Sequence, residues 1–347
     1  MMHDRADPIL VQATRGGIVE SFHRGALAVV DAGGGLVLSM GEIERPIFPR
    51  SAIKLLQALP LVASGAAEAL ALNDEELALA CASHSGEEAH ARTAAGMLAK
   101  AGVDASVLEC GVHWPYDEDA QRELVRRGEP ASVLHNNCSG KHSGFVCLAC
   151  RMNGDQPLRG FLSGYVQPEH PVMREVSAAL QAATGWDLSK SARGIDGCSI
   201  PAHAVPLRHL ALAYARVASG QGLSPQHARA AKRLRQAVAR APFFTSGTGK
   251  FDARVNGHFG ERVYCKVGAE GVHCAALPQL GLGIAIKMDD GNNSRACEVV
   301  LAALLHRLLP PADVDAAFLG GLSDQALRNR NRIEVGRLQA AAALASA

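Results

Sequence analysis

Three segments, Arg262-Val263-Tyr264-Cys265-Lys266-Val267, Gly271-Val272-His273-Cys274-Ala275-Ala276 and Leu282-Gly283-Ile284-Ala285-Ile286-Lys287, carry the reading that decides the fold. Each has a strand-like texture, and turn residues separate them at Gly268-Ala269-Glu270-Gly271 and near Pro278, so antiparallel strands are expected. The opposite end repeats the pattern: Arg15 to Met40 alternates around Gly25 and Gly33-Gly34-Gly35 and reads as three short strands joined by glycine turns. Between these ends the periodicity predicts helices over 52–63, 74–82, 87–101, 140–152, 169–184, 202–218 and 225–240, with Asn73 and Glu76 forming a capping box for the second. The expected class is therefore α+β, an α/β sandwich-like arrangement in which N- and C-terminal strands share one antiparallel sheet and the helical middle is an insertion. Residues 1–50 with 255–347 are expected to form a sheet-containing lobe and 51–254 a mainly helical lobe, with the active site between them in one compact unit. No alternating βα units support a doubly wound nucleotide fold. Residues 340–347 read as a frayed tail.

With 347 residues, 48% hydrophobic and 20% charged, the chain can bury a large core. Thirty-five basic against 34 acidic residues leave a net charge of +1, which offers no electrostatic footprint for nucleic acid or an anionic membrane. A small neutral or zwitterionic ligand fits better. The first residues lack a basic segment followed by an apolar one, and no apolar run of membrane-spanning length occurs, so a cytoplasmic location is expected. Nine cysteines in a chain this large read as reduced thiols, and Cys147 with Cys150 sits inside an apolar helical run as core packing.

Chemistry concentrates in a few places. Ser51 and Lys54 form a Ser-x-x-Lys pair heading an apolar stretch, and Lys266-Val267-Gly268 lies far downstream, a combination that suggests a serine hydrolase with lysine as its base. At i and i+3 on a helix the amine reaches the preceding hydroxyl. Three further loops carry reactive groups where helices begin: Cys81-Ala82-Ser83-His84-Ser85-Gly86-Glu87, Asn136-Asn137-Cys138-Ser139-Gly140-Lys141-His142-Ser143-Gly144 and Gly194-Ile195-Asp196-Gly197-Cys198-Ser199-Ile200-Pro201. Ser139-Gly140-Lys141 lacks the remainder of a phosphate loop. Cys138 and Cys198, with Lys141, His142 and Asp196 close in sequence, read equally as a metal site or as two buried thiols beside a helix cap.

Taken in order, these motifs, with Cys110-Gly111-Val112-His113, Lys266-Val267-Gly268-Ala269-Glu270-Gly271 and Asp290-Gly291-Asn292, resemble the zinc-binding, rhizobial-type L-asparaginases of the asparaginase II family over most of the chain. The resemblance implies a fold similar to serine β-lactamases and glutaminases, a homodimer, and two Ser-Lys tandems, Ser51 with Lys54 and Ser83 with Lys266. It also implies Zn2+ held by Cys138, Lys141 and Cys198 with Asp196 nearby, so Lys141 takes the place of His142 among the ligands. Leu55 stands after Lys54 where such proteins often carry proline.

The expected reaction is hydrolysis of L-asparagine to L-aspartate and ammonia through an acyl-serine intermediate. Ser51 is the expected nucleophile, Lys54 its base once burial and the second cation of Lys266 disfavour the ammonium, and Ser83 a relay toward the departing ammonia. The Ser51 N–H and a strand N–H near Lys266 to Gly268 are expected to receive the oxyanion. Arg50, His84, Glu87, Glu270, Asp290 and Asn292 are substrate-binding candidates by motif position, and each also reads as an ordinary cap or ion pair. A closed thiolate-rich zinc site would order loops rather than perform hydrolysis. Phe243-Phe244-Thr245-Ser246-Gly247-Thr248-Gly249-Lys250 is expected to flank the cleft. The alternatives are another small-molecule amidohydrolase, of glutaminase or penicillin-recognising type, and a non-enzymatic zinc-thiolate sensor.

Overall fold

The structure, a computed structural model, describes residues 6–345. The strands are β1 (Ile9–Arg15), β2 (Ile18–Asp31), β3 (Leu36–Met40), β4 (Pro46–Ile47), β5 (Arg193–Ile195), β6 (Pro201–His203), β7 (Val205–Pro206), β8 (Tyr264–Gly268), β9 (Val272–Leu277), β10 (Leu282–Met288), β11 (Asp324–Arg328) and β12 (Glu334–Ala340). Eight of them form one sheet in the order β11-β12-β1-β2-β10-β9-β8, with β3 also on β2, and every pairing is antiparallel. The small pairs β4–β7 and β5–β6 stand apart from it. The α+β class, with terminal strands sharing a sheet around a helical middle, is what the structure shows.

Both faces of the sheet are buried at its centre, along β9, β10 and the second half of β2, and the side-chain alternation of the strands divides them. Ala26, Ala28 and Val30 of β2 join one apolar cluster with the helix Leu207–Ser219, whereas Leu27 and Val29 join another with the helix Glu298–Leu308. A strand covered on both sides has no polar face, which is why β9 is buried along its whole length.

Gly25 does not make a turn. It lies inside the 14-residue β2, where a Cβ would come 2.4 Å from the Lys287 carbonyl oxygen, so the missing side chain lets β10 approach. The turn falls earlier, at Gly16 and Gly17, both with positive φ. The expected helices occur as Lys54–Ala63, Asp74–Ala80, Glu88–Lys100, Ser139–Ala149, Pro171–Thr184, Leu207–Ser219 and Pro225–Arg240. The sixth starts late because Pro201–Pro206 is extended in β6 and β7. The capping box is present, Glu76 N–H donating to Asn73 at 3.0 Å and Asn73 N–H to Glu76 at 2.8 Å. Helices Glu118–Arg127, Phe251–Phe259, Glu298–Leu308 and Ala316–Ser323, and strands β11 and β12, were not expected from the pattern. Instead of a frayed tail, Ala340 ends β12 and a short helix Ala342–Ala345 follows with Leu344 buried; positions 346 and 347 lie outside the described residues. No helix among the described residues is long and apolar enough to cross a membrane.

Candidate active site

Ser51 lies in the 3-10 turn Arg50–Ile53 that leads into the helix starting at Lys54. The end of β8 presses against this turn: a Cβ on Gly268 would sit 2.5 Å from the Pro49 carbonyl oxygen and 3.1 Å from the Ala52 nitrogen, so only glycine passes so close. The loop after the helix Asp74–Ala80 is pinned from both sides, Ser83 N–H donating to the Thr245 carbonyl at 3.0 Å and His84 N–H to the Asn137 carbonyl at 3.2 Å. Arg50, Glu270 and Ser199, beside Cys198, all adopt positive φ, a conformation that costs about 1–3 kcal/mol and tends to collect where a site is being shaped.

Lys54 is completely buried. Its amine is 2.5 Å from the Ala82 carbonyl oxygen, 3.0 Å from Ser83 Oγ, 3.1 Å from Cys138 Sγ and 3.3 Å from the Asn137 carbonyl oxygen. Burial pushes its pKa down, with the cations of Lys141 and Lys266 acting in the same direction and the thiols of Cys138 and Cys198 opposing. The hydroxyl bonded to Lys54 is therefore Ser83, not Ser51. A buried amine settles where carbonyls and a thiolate converge, and the Ser51 hydroxyl offers only one weak acceptor. Ser51 is half-buried, and its hydroxyl has no hydrogen-bond partner among the described residues.

Lys266 does not bond to Ser83 in this structure. Its amine donates to the Val267 carbonyl at 2.8 Å and lies 3.5 Å from Asp252 Oδ2. Asp252 is also buried, accepting from Val267 N–H at 2.9 Å and pairing with His273 Nε2 at 2.9 Å. Burial alone would raise its pKa, yet Lys266 and His273 hold the carboxylate below the usual value. Because Val267 N–H is bonded to Asp252, it is excluded as the strand donor to an oxyanion. Asp252, Cys265 and His273 have their ligand atoms within 4.8 Å of one another, but the neighbouring Lys266 ammonium opposes a cation there.

Beyond Lys54 lies the thiol cluster. Lys141 Nζ is 2.9 Å from Cys198 Sγ, and Asp196 Oδ2 is 3.9 Å from the same sulfur. A hydrogen bond from Cys198 pulls the Cys138 thiol well below its ordinary pKa against the effect of burial, and the same bond, with burial, pushes Cys198 up. Burial would lower Lys141, but Cys138, Cys198 and Asp196 hold it above its usual value as an ammonium. Two sulfurs and an amine thus converge in a buried pocket, a donor set that fits zinc once Lys141 loses its proton. His142 faces elsewhere, with Nδ1 2.6 Å from the Tyr165 hydroxyl.

Of the substrate-binding candidates, only His84 lines the cavity that Ser83 opens on, a space of about 270 Å³ that also receives Tyr116, Lys250, Asp252, Val267 and Glu298. His84 is fully buried and fully bonded: Gly86 N–H donates to Nδ1 at 3.2 Å, which leaves Nε2–H to donate to Ser139 Oγ at 2.9 Å. Burial holds its pKa well below the ordinary imidazole value of about 6.5. Native His84 thus binds its proton more weakly than the unfolded chain does, so its contribution to stability is present above pH 6.5 and is lost as pH falls. Urea titrations below pH 6.5 are expected to lose about 1.4 kcal/mol per pH unit through this group, a slope that His84→Gln removes.

Glu87 is a bracket, with Ser85 Oγ donating at 2.7 Å and Thr248 donating through N–H at 2.9 Å and Oγ1 at 2.7 Å. Arg50 donates to Asp196 at 2.9 Å and, with Glu270, lines a separate cavity of about 420 Å³. Asp290 is held by His23 Nδ1 at 2.5 Å, and Asn292 caps a helical turn by accepting from Arg295 N–H at 3.0 Å. Sequence reasoning missed Asp252, His273 and Glu298, isolated residues without a motif. Asp252 follows the 243–250 stretch expected to flank the cleft, which was the one signal pointing to it. A larger cavity of about 570 Å³, between the helices Glu88–Lys100 and Glu118–Arg127, contains none of the candidate residues.

A fully buried lysine hydrogen-bonded to a serine that opens on a small cavity is an arrangement that can activate a hydroxyl for acyl transfer. Residues 11–340 match the L-asparaginase II family, and the chain belongs to it. No curated protein matches the sequence. Among solved structures, Mglu in its native form is similar at 17% identity and a TM-score of 0.37, covering 89% of this chain and 66% of that one. Mglu in its tris and glutamate form gives 18%, 0.33, 83% and 60%. A beta-lactamase from Mycobacterium bovis gives 14%, 0.35, 86% and 95%. The chain thus spans less than two thirds of the Mglu chains it matches.

Proposed function

We propose that this amidohydrolase is an L-asparaginase, converting L-asparagine and water to L-aspartate and ammonia in the cytoplasm as a homodimer, with its site between a sheet-containing and a helical lobe. The observation that carries the reading is the fully buried Lys54 amine, 3.0 Å from a serine hydroxyl that opens on a small cavity, in a member of the L-asparaginase II family. At about 270 Å³ the cavity falls just below the ~300–1,000 Å³ of drug-sized sites, a size suited to an amino acid.

Ser51 attacks the side-chain amide carbon, its hydroxyl being free of other bonds. Ser83 relays the Ser51 proton to the Lys54 amine, and Lys54 returns a proton through Ser83 to the amide nitrogen, so that the carbon–nitrogen bond breaks with ammonia leaving. Water then hydrolyses the ester by the reverse relay and regenerates Ser51. The abutment of β8 on the Ser51 turn supports this proximity, since Val267 of β8 lines the same cavity as Ser83. Cys138, Lys141 and Cys198, with Asp196 nearby, would hold Zn2+, which when bound supplies positive charge and cross-links the loops around 138–142 and 196–198.

Ammonia release from L-asparagine, L-glutamine and a penicillin by the purified protein tests the assignment. Turnover of L-asparagine with an acyl adduct on Ser51, seen by mass spectrometry of quenched reactions, is expected. An adduct on Ser83 would move the nucleophile there, and zinc retention without any turnover would leave the sensor reading. Zinc measured by elemental analysis is expected at one per chain in the parent and absent in Cys138→Ala.

A further inference from the structure

The cavity that Ser83 opens on carries four ionisable groups besides tyrosine: His84, Lys250, Asp252 and Glu298. Two are engaged, His84 between Gly86 and Ser139 and Asp252 among Val267, Lys266 and His273. The other two are not. Among the described residues, neither the Lys250 ammonium nor the Glu298 carboxylate has a hydrogen-bond or ion-pair partner, and they do not pair with each other. Glu298 is partly buried at the start of its helix. Lys250 is exposed, yet its backbone is anchored. Thr248, two residues before it, is fastened to Glu87, and the helix Phe251–Phe259 begins immediately after it.

One unengaged cation and one unengaged anion at a serine-bearing cavity match a ligand carrying both charges. We infer that Glu298 receives the α-ammonium and Lys250 the α-carboxylate of the substrate, making these two residues the determinants of α-amino acid specificity. This rests on the asparaginase reading above and replaces Arg50, Glu270, Asp290 and Asn292 in that role, all of which are engaged or outside this cavity. The partial burial of Glu298 is consistent with the assignment. Burial holds its carboxyl above the ordinary value, with Asp252 adding to the rise and His273, Arg254 and Lys250 opposing it, and an arriving ammonium offsets that desolvation.

The test uses the full-length protein with L-asparagine as substrate and two competitive inhibitors: succinamate, which lacks the α-ammonium, and 3-aminopropanamide, which lacks the α-carboxylate. Glu298→Gln is expected to raise KM for L-asparagine roughly 30-fold while leaving succinamate inhibition unchanged. Lys250→Met is expected to raise KM roughly 10-fold and weaken succinamate, leaving 3-aminopropanamide unchanged, with Lys250→Arg restoring most of the loss. Glu298→Asp serves if the glutamine variant does not fold. Equal loss of asparagine and succinamate in the Glu298 variant, or an unchanged KM in both variants, overturns the clamp while the asparaginase reading stands. A parent protein that releases no ammonia from L-asparagine overturns that reading instead.

Discussion

Lys54→Met is expected to lower kcat for amide hydrolysis by roughly 10²–10⁴-fold, the range for loss of a positioned general base, while the protein stays folded. Methionine fills nearly the same volume, so the packing around position 54 survives. What goes is the one amine bonded to Ser83 among the described residues, and with it the acceptor for the proton released in acylation. The Cys138 thiol keeps the Lys141 cation beside it, which limits the cost in stability. Lys54→Arg is the sharper variant: it keeps charge and length, but a guanidinium does not give up its proton in a protein, so it is expected to be as inactive as the methionine variant. Activity in the arginine variant above one tenth of the parent, by ammonia release, would show that Lys54 acts as a fixed charge and not as a base.

Asp252→Ala is expected to cost about 3–5 kcal/mol of folding stability, the range for removing one partner of a buried charged group. Asp252 binds the Val267 N–H, the Lys266 ammonium and His273 in a region where all three side chains are almost wholly inaccessible. Without it two buried basic groups lose their counter-charge together. For a chain of this length the loss corresponds to roughly 4–7 °C in melting temperature. Asp252→Asn, which keeps the shape, is expected to fall between parent and alanine variant. A melting temperature within one degree of the parent for Asp252→Ala would mean that Lys266 finds another partner, and the role of Asp252 in setting this strand would have to be dropped.

The elements legible in the sequence were those whose pattern is local. The helices over 54–63 and 225–240 follow from a period that packing only reinforces, and the Asn73–Glu76 cap from two residues three apart. Strands β11 and β12 were invisible because their half-buried, mixed polar and apolar residues carry little alternation and their pairing partners are each other and β1, far away in sequence. The site shows the same division. Ser51, Lys54, Ser83 and Lys266 could be found as motifs, but the spacing of Ser51 and Lys54 suggested a bond between them. The bond goes instead to Ser83, because the path of a buried lysine is set by the carbonyls of residues 82 and 137, which no local rule ranks. Glu298 and Lys250 stand out only by lacking partners, a property that exists only in three dimensions.

The long strand β2 has one more implication, for biosynthesis. Its second half is zipped to β10, Asp31 facing Leu282 and Gly25 facing Met288. At ~5–20 residues per second a ribosome needs roughly 12–50 s to travel between those partners. Through that interval an apolar ribbon waits with one side unclaimed while the intervening helices emerge. Newly made chains are therefore most vulnerable to association with one another before release, and holding factors that bind extended apolar segments would be needed at that stage more than after it.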